Sequence, residues 1–156
     1  MRVLLGMVLG IAILAVCVFF YFRLGYAPVA TASAPMPFEQ FIAQGALDAR
    51  IKKEAPTTVP VQADESNLAA GYKIYRDTCA VCHGLRGEEE TGIAKGMFPK
   101  PPQFFAHPAK GGAVGQTFWV VKNGIRLTGM PGFGASMTDD QIWQVSLMIE
   151  QRDKLK

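Results

Sequence analysis

Five consecutive positions, Cys79-Ala80-Val81-Cys82-His83, carry the most distinctive chemistry in this sequence. Two thiols three residues apart fall on one side of a helical turn, and the imidazole comes on the next residue. That spacing suits addition of both sulfurs to the two vinyl groups of one haem, with the imidazole free to swing under the iron as fifth ligand. Competing chemistries need more than the sequence offers. A dithiol redox pair requires a strand–helix–strand context, and none surrounds the motif. Zinc requires two further ligands, and the one other histidine is His107. A His directly after a Cys is also poor tetrahedral geometry. Two coincidentally placed buried thiols are the remaining reading.

A sixth ligand has to come from later in the chain. The stretch Asn123-Gly124-Ile125-Arg126-Leu127-Thr128-Gly129-Met130-Pro131-Gly132-Phe133 offers one in Met130. Asn-Gly suits a helix C-terminus, so a helix over 116–122 is expected to stop there and leave Met130 on an irregular loop. Gly129 allows close approach, and Pro131 fixes the backbone, so the thioether can be aimed. Three competitors stay open. Met137 precedes Thr138-Asp139-Asp140-Gln141, a capping box, and reads as the staple of the last helix. Met97 lies in a Gly-Pro-rich loop soon after the thiols. His107 would give a bis-histidine site.

The elements that must hold these groups follow from composition. The chain has 156 residues, enough for one modest domain plus extras. It is 49% hydrophobic and only 19% charged, which excludes a disordered chain and requires an unusually apolar stretch. Three Cys are too few for a disulfide scaffold, and a net charge of +3 is too small to argue for nucleic acid.

The apolar excess lies at the start. Residues 3–22 carry no charge and would make ~30 Å of helix, enough to cross a bilayer. Arg2 and Arg23 bracket the stretch, and Tyr21 and Tyr26 suit the interface. Residues 1–25 therefore read as a membrane anchor. A cleaved signal is the alternative, cut after Ala32-Ser33-Ala34, although Pro35 follows and a signal core is usually shorter. Cys17 reads as an apolar thiol within this helix rather than a lipid-attachment site. Residues 26–66 read as a linker: 26–37 is rich in Ala and Pro, and a helix is expected over about 38–55, stopped by Pro56. Phe38, Phe41, Ile42 and Ala49 share one face of it, Leu47 and Ile51 another. Packing within its own chain, the membrane surface and a partner protein are all open to this helix. With Arg2 and Arg23 set aside, 14 Lys+Arg face 13 acids.

Residues 67–154 resemble a class I cytochrome c domain. In that family a first helix carries a Gly and, four residues on, an aromatic, as Gly71 and Tyr75 do here. A last helix crosses it; 138–152 fits, with Ile142, Trp143, Leu147 and Ile149 apolar. The small Gly lets the axes close and the aromatic fills the gap. The family also has a Pro whose carbonyl accepts the proximal imidazole N–H; Pro102 is the candidate, with Pro99 and Pro101 nearby. The wording around Met130 and the Trp-bearing last helix is similar to the single-haem domains of cbb-type oxidase subunit III and of dehydrogenase cytochrome subunits.

The resemblance implies an all-α class I cytochrome c fold behind an N-terminal transmembrane helix. It implies one covalent haem c, bound by Cys79, Cys82, His83, Met130, Pro102 and Tyr75, with His83 and Met130 on the iron. It implies an electron carrier rather than an enzyme, serving redox partner proteins either by itself or as a subunit of a respiratory or dehydrogenase complex at the membrane. Because thioether attachment is an exported-side process in bacteria, the expected place is the inner membrane, N-terminus cytoplasmic and haem domain periplasmic. Trp119 and Trp143 are expected in the core around the haem, and Lys95, Lys100, Lys110 and Lys122 are candidates for a weak steering surface, with ordinary solvated charge as the other reading. Glu88-Glu89-Glu90 reads as a solvated loop. A docking or assembly role through the connector helix, and a haem enzyme or gas sensor with a labile Met130, are the alternatives.

Overall fold

A computed structural model of the chain describes residues 1–106 and 113–154, and among these the regular structure is helical throughout, without strands. His107 and Lys110 lie outside the described residues. The helices are α1 (Arg2–Arg23), α2 (Glu39–Glu54), α3 (Glu65–Ile74), α4 (Ala80–His83), α5 (Gly92–Lys95), α6 (Val114–Asn123) and α7 (Asp139–Gln151). A widened turn, Tyr75–Cys79, joins α3 to α4, and a 3-10 turn, Arg152–Lys154, follows α7. The chain forms two compact units, Met1–Gln40 and Phe41–Lys156.

The first unit is dominated by α1. Its most apolar stretch has a mean hydropathy of 3.0, and none of it is buried by other protein. A 22-residue helix of this composition is long enough to span a bilayer, which is compatible with a single-pass anchor.

The second unit is built on the crossing of α3 and α7. Asp64 caps α3 by accepting from the Asn67 amide at 2.8 Å, and this bond, followed by that from Ser66, holds its carboxyl below the usual range. The α7 start is a full capping box: the Thr138 side chain accepts from the Gln141 amide, and the Gln141 side chain accepts from the Thr138 amide. At the crossing, Gly71 faces the Gln144 backbone so closely that any Cβ would overlap the Gln144 carbonyl. Gln144 Nε2 donates to Asn67 Oδ1 at 2.9 Å beside it. The axes close over a core of Tyr75, Ile142, Val145 and Met148, all fully buried.

The third wall is α6. Phe118 stacks on Trp143 with ring centroids 3.9 Å apart. The helix ends at Gly124, whose φ of +69 is the left-handed conformation that glycine adopts without strain. A Cβ there would come within 2.6 Å of the Pro131 carbonyl carbon, so the returning Met130–Gly132 segment lies directly on the helix end. The Phe133 and Gly134 amides bond back to the Val121 and Lys122 carbonyls.

Two sequence expectations change here. Trp119 is not core: it is half-buried at the rim, and its indole N–H donates to Glu54 at 3.2 Å. The amphipathic indole thus fastens the end of α2, and the Pro56 carbonyl lies over Gly115 of α6. The connector helix therefore packs within its own chain at its C-terminal end, while Phe41 and Ile42 near its start stay exposed. Lys122 is not a free steering cation either. It pairs with Asp139 at 2.7 Å and lies over the Phe118 ring.

Candidate functional site

The thiols reach their positions through the widened turn. The Ala80 amide bonds to the Tyr75 carbonyl, five residues back, instead of the usual four. Single turns of this kind rotate the following residues relative to a regular helix. Cys79 and Cys82 are both half-buried, and neither is in a disulfide. Burial, then the neighbouring Cys82 charge, pushes the Cys79 thiol up to about 11. A thiol that stays protonated is the opposite of a redox-active CxxC, whose sulfur is held as thiolate.

His83 ends α4 and is 9% exposed. Its Nδ1 lies 2.9 Å from the Pro102 carbonyl, which can only accept, so Nδ1 carries the proton and Nε2 keeps its lone pair. Burial holds the imidazole below its ordinary pKa, against the opposing pull of the Pro102 bond. A neutral imidazole with a fixed tautomer is what metal ligation requires. Among the described residues Nε2 makes no hydrogen bond, and no buried side-chain nitrogen or oxygen there lacks a partner, so Nε2 opens onto accessible space.

The strap 101–105 wraps this histidine. The Phe104 amide donates to the His83 carbonyl at 3.2 Å, and the Phe104 ring stacks on the imidazole with centroids 4.7 Å apart. Gln103 Nε2 donates to the Cys82 carbonyl at 2.9 Å. From the other side the Tyr75 hydroxyl donates to the carbonyls of Gly84 at 2.7 Å and His83 at 3.1 Å. Burial drives the Tyr75 pKa far above its usual value, so this donor keeps its proton at any physiological pH.

Tyr75→Phe strands the Gly84 carbonyl, whereas His83 keeps its bond from Phe104. The expected loss is about 1–2 kcal/mol in denaturant unfolding of the holoprotein, the scale of one buried acceptor left unpaired. A change below a few tenths would mean that water replaces the hydroxyl.

Met130 stands on the other loop. It is half-buried and packs on the same apolar cluster as Cys79, Leu85 and Phe104. Thr128 Oγ1 accepts from the Met130 amide at 3.1 Å, and the Met130 carbonyl accepts from the Ile125 amide at 3.1 Å. The backbone of this residue is thus held at both ends. Met97 lies against Gly129, where a Cβ would strike its terminal methyl, and Met137 packs on the core as a staple residue should. Tyr75, His83 and Pro102 are in mutual contact or share a bonded neighbour; Met130 reaches the group through the shared cluster.

Two half-buried free thiols, an imidazole with an available Nε2 and a thioether beside one apolar cluster fit a covalently tethered haem. The domain is a class I c-type cytochrome. Residues 66–147 match cytochrome c oxidase, cbb3-type, subunit III, and the chain belongs to that family. The family implies covalently bound haem c, and the Cys79, Cys82, His83 spacing fits its attachment motif. The fold is similar to a chain of the reducing HAO-like protein complex of Kuenenia stuttgartiensis, with 23% identity and a TM-score of 0.52 over 76% of this chain. This chain spans half the length of that one. No curated protein matches the sequence.

Sequence reasoning missed the outer layer. Gln103 and Phe104 lie within the proximal strap, and Arg152 bonds to it from the turn after α7. Gln103 and Phe104 follow directly on the Pro102 candidate, but nothing in spacing linked Arg152 to them.

Proposed function

We propose that this chain transfers single electrons as a membrane-tethered cytochrome carrying one haem c. Cys79 and Cys82 would hold the group covalently, and His83 and Met130 would ligate its iron. Haem c supplies the Fe(III)/Fe(II) couple, and methionine ligation biases it toward the reduced side. The protein's own part is to fix the ligands and exclude water. Pro102 and Phe104 hold the imidazole plane, Tyr75 ties the end of α4, and Thr128 with Ile125 holds the Met130 backbone. With His83 and Met130 both bound, the iron would keep no place for substrate, which favours a carrier over an enzyme or gas sensor.

The observation that carries this reading is the neutral, Pro102-bonded His83 directly after two free thiols. The wider assignment is a domain 67–156 on the periplasmic side of a bacterial inner membrane, joined by the linker 26–66 to an anchor 1–25 with its N-terminus in the cytoplasm. Electrons pass between respiratory or dehydrogenase partners. A docking role within a larger complex is supported by the exposed Phe41 and Ile42 on α2, at 80% and 65% accessibility. Co-migration with a larger assembly on native gels after mild extraction would identify it.

Met130→Leu tests the ligand set. The far-red sulfur-to-iron charge-transfer band of the oxidised protein is expected to disappear, and the reduced protein to bind carbon monoxide readily. Persistence of the band would assign the sulfur to Met97 or Met137. Rapid carbon monoxide binding to the unaltered protein would favour a sensor.

A further inference from the structure

We propose that Arg152, in the turn after α7, is a positioning residue for the His83 imidazole, acting through the strap 101–105. Arg152 is 7% exposed, which is unusual for arginine. Its Nε donates to the Phe104 carbonyl at 2.7 Å, and its Nη1 donates to the Ile149 carbonyl at 2.7 Å. The guanidinium therefore bolts the strap to the last turn of α7. Its carbon also lies 5.7 Å from the Phe104 ring centroid, and the same ring stacks on the imidazole and meets the Tyr75 ring with centroids 6.3 Å apart.

Arg152, Phe104 and His83 thus form one file, cation to ring to ligand. The turn itself is braced, because Arg86 Nη2 donates to the Arg152 carbonyl at 2.8 Å. The Phe104 amide and carbonyl are both committed, one to His83 and one to Arg152. Two residues earlier the same strap presents the Pro102 carbonyl to Nδ1. Movement of the strap would loosen the carbonyl and the ring together. Lysine could supply a charge but only a point donor, whereas the planar fork serves two carbonyls at once.

This inference rests on His83 being an axial ligand, and its test separates the two. The ferric holoprotein is examined by NMR for imidazole ring protons strongly shifted by the iron. The reduced holoprotein is examined for exchange of the His83 Nδ1 proton beside exchange of α7 core amides. Absence of any shifted His83 resonance in the unaltered protein would overturn the ligand assignment itself. With those resonances present, Arg152→Gln is expected to displace them and to speed Nδ1 exchange at least ~10-fold more than it speeds the α7 amides, a local rather than global opening. Arg152→Lys is expected to show the same selectivity at smaller amplitude, and it carries the test alone if the glutamine variant does not accumulate. Unchanged resonances, or equal acceleration of Nδ1 and the α7 amides, would reduce Arg152 to a stabilising residue and overturn the proposal.

Discussion

A Cys79→Ser/Cys82→Ser double variant is expected to contain no covalently held haem. On a denaturing gel the haem stain should vanish entirely, and the intact mass should equal that of the bare polypeptide. The expectation follows from the state of the two sulfurs. Both are half-buried and neither is in a disulfide, so both are available for thioether formation. No other cysteine belongs to the second unit, since Cys17 lies in α1. Each single variant should keep one thioether and retain its stain, with an absorption maximum displaced by the unreacted vinyl group. Stain surviving denaturation in the double variant would place the attachment elsewhere and dismantle the site as described.

Gly71→Val is expected to prevent the holoprotein from reaching a stable fold, and Gly71→Ala to destabilise it by about 2 kcal/mol. Two effects oppose each other in the alanine variant. Helix propensity favours alanine over glycine by about 1 kcal/mol. Against this, the new Cβ would lie inside the Gln144 carbonyl and 3.0 Å from the Met148 Cβ. The obstacle is mostly backbone, which cannot rotate aside, so α3 and α7 must separate. Separation opens the core around Ile142, Val145 and Met148, all fully buried, and overpacking of this kind costs about 1–3 kcal/mol. The steric term therefore wins. Valine adds two further methyl groups in the same space, against a total stability of about 5–15 kcal/mol. Thermal unfolding of the holoproteins measures both, and an alanine variant as stable as the parent would mean that the helices do not cross at Gly71.

What the sequence disclosed depended on the distance over which each signal acts. The α6 stop at Gly124 and the Thr138–Gln141 box were readable because their causes lie within four residues. The apolar α1 and the Cys79–His83 spacing were readable for the same reason. Gly71 with Tyr75 became meaningful only through resemblance, since the surface that demands a glycine belongs to α7. The three prolines Pro99, Pro101 and Pro102 looked alike in the sequence; only the strap's path sets the Pro102 carbonyl at Nδ1. Arg152 acts on Phe104 across 48 positions, and Trp119 meets Glu54 across 65. Neither pairing leaves a periodic or compositional trace. Lys122 was legible only as a charge, steering or ordinary, because Asp139, its partner 17 residues on, leaves no local trace.

The α3–α7 crossing also has a consequence for the order of events in the life of the chain. Asn67 and Gln144, bonded at the crossing, are 77 residues apart. The two helices cannot meet until the intervening chain has been made, so the contact that closes the domain is among its least local. At about 5–20 residues per second of synthesis, that span takes roughly 4–15 s. Cys79 and Cys82, made 12 and 15 residues after Asn67, exist for most of this interval before α7 does. The topology thus builds a delay between the appearance of the thiols and the closing of the α3–α7 crossing.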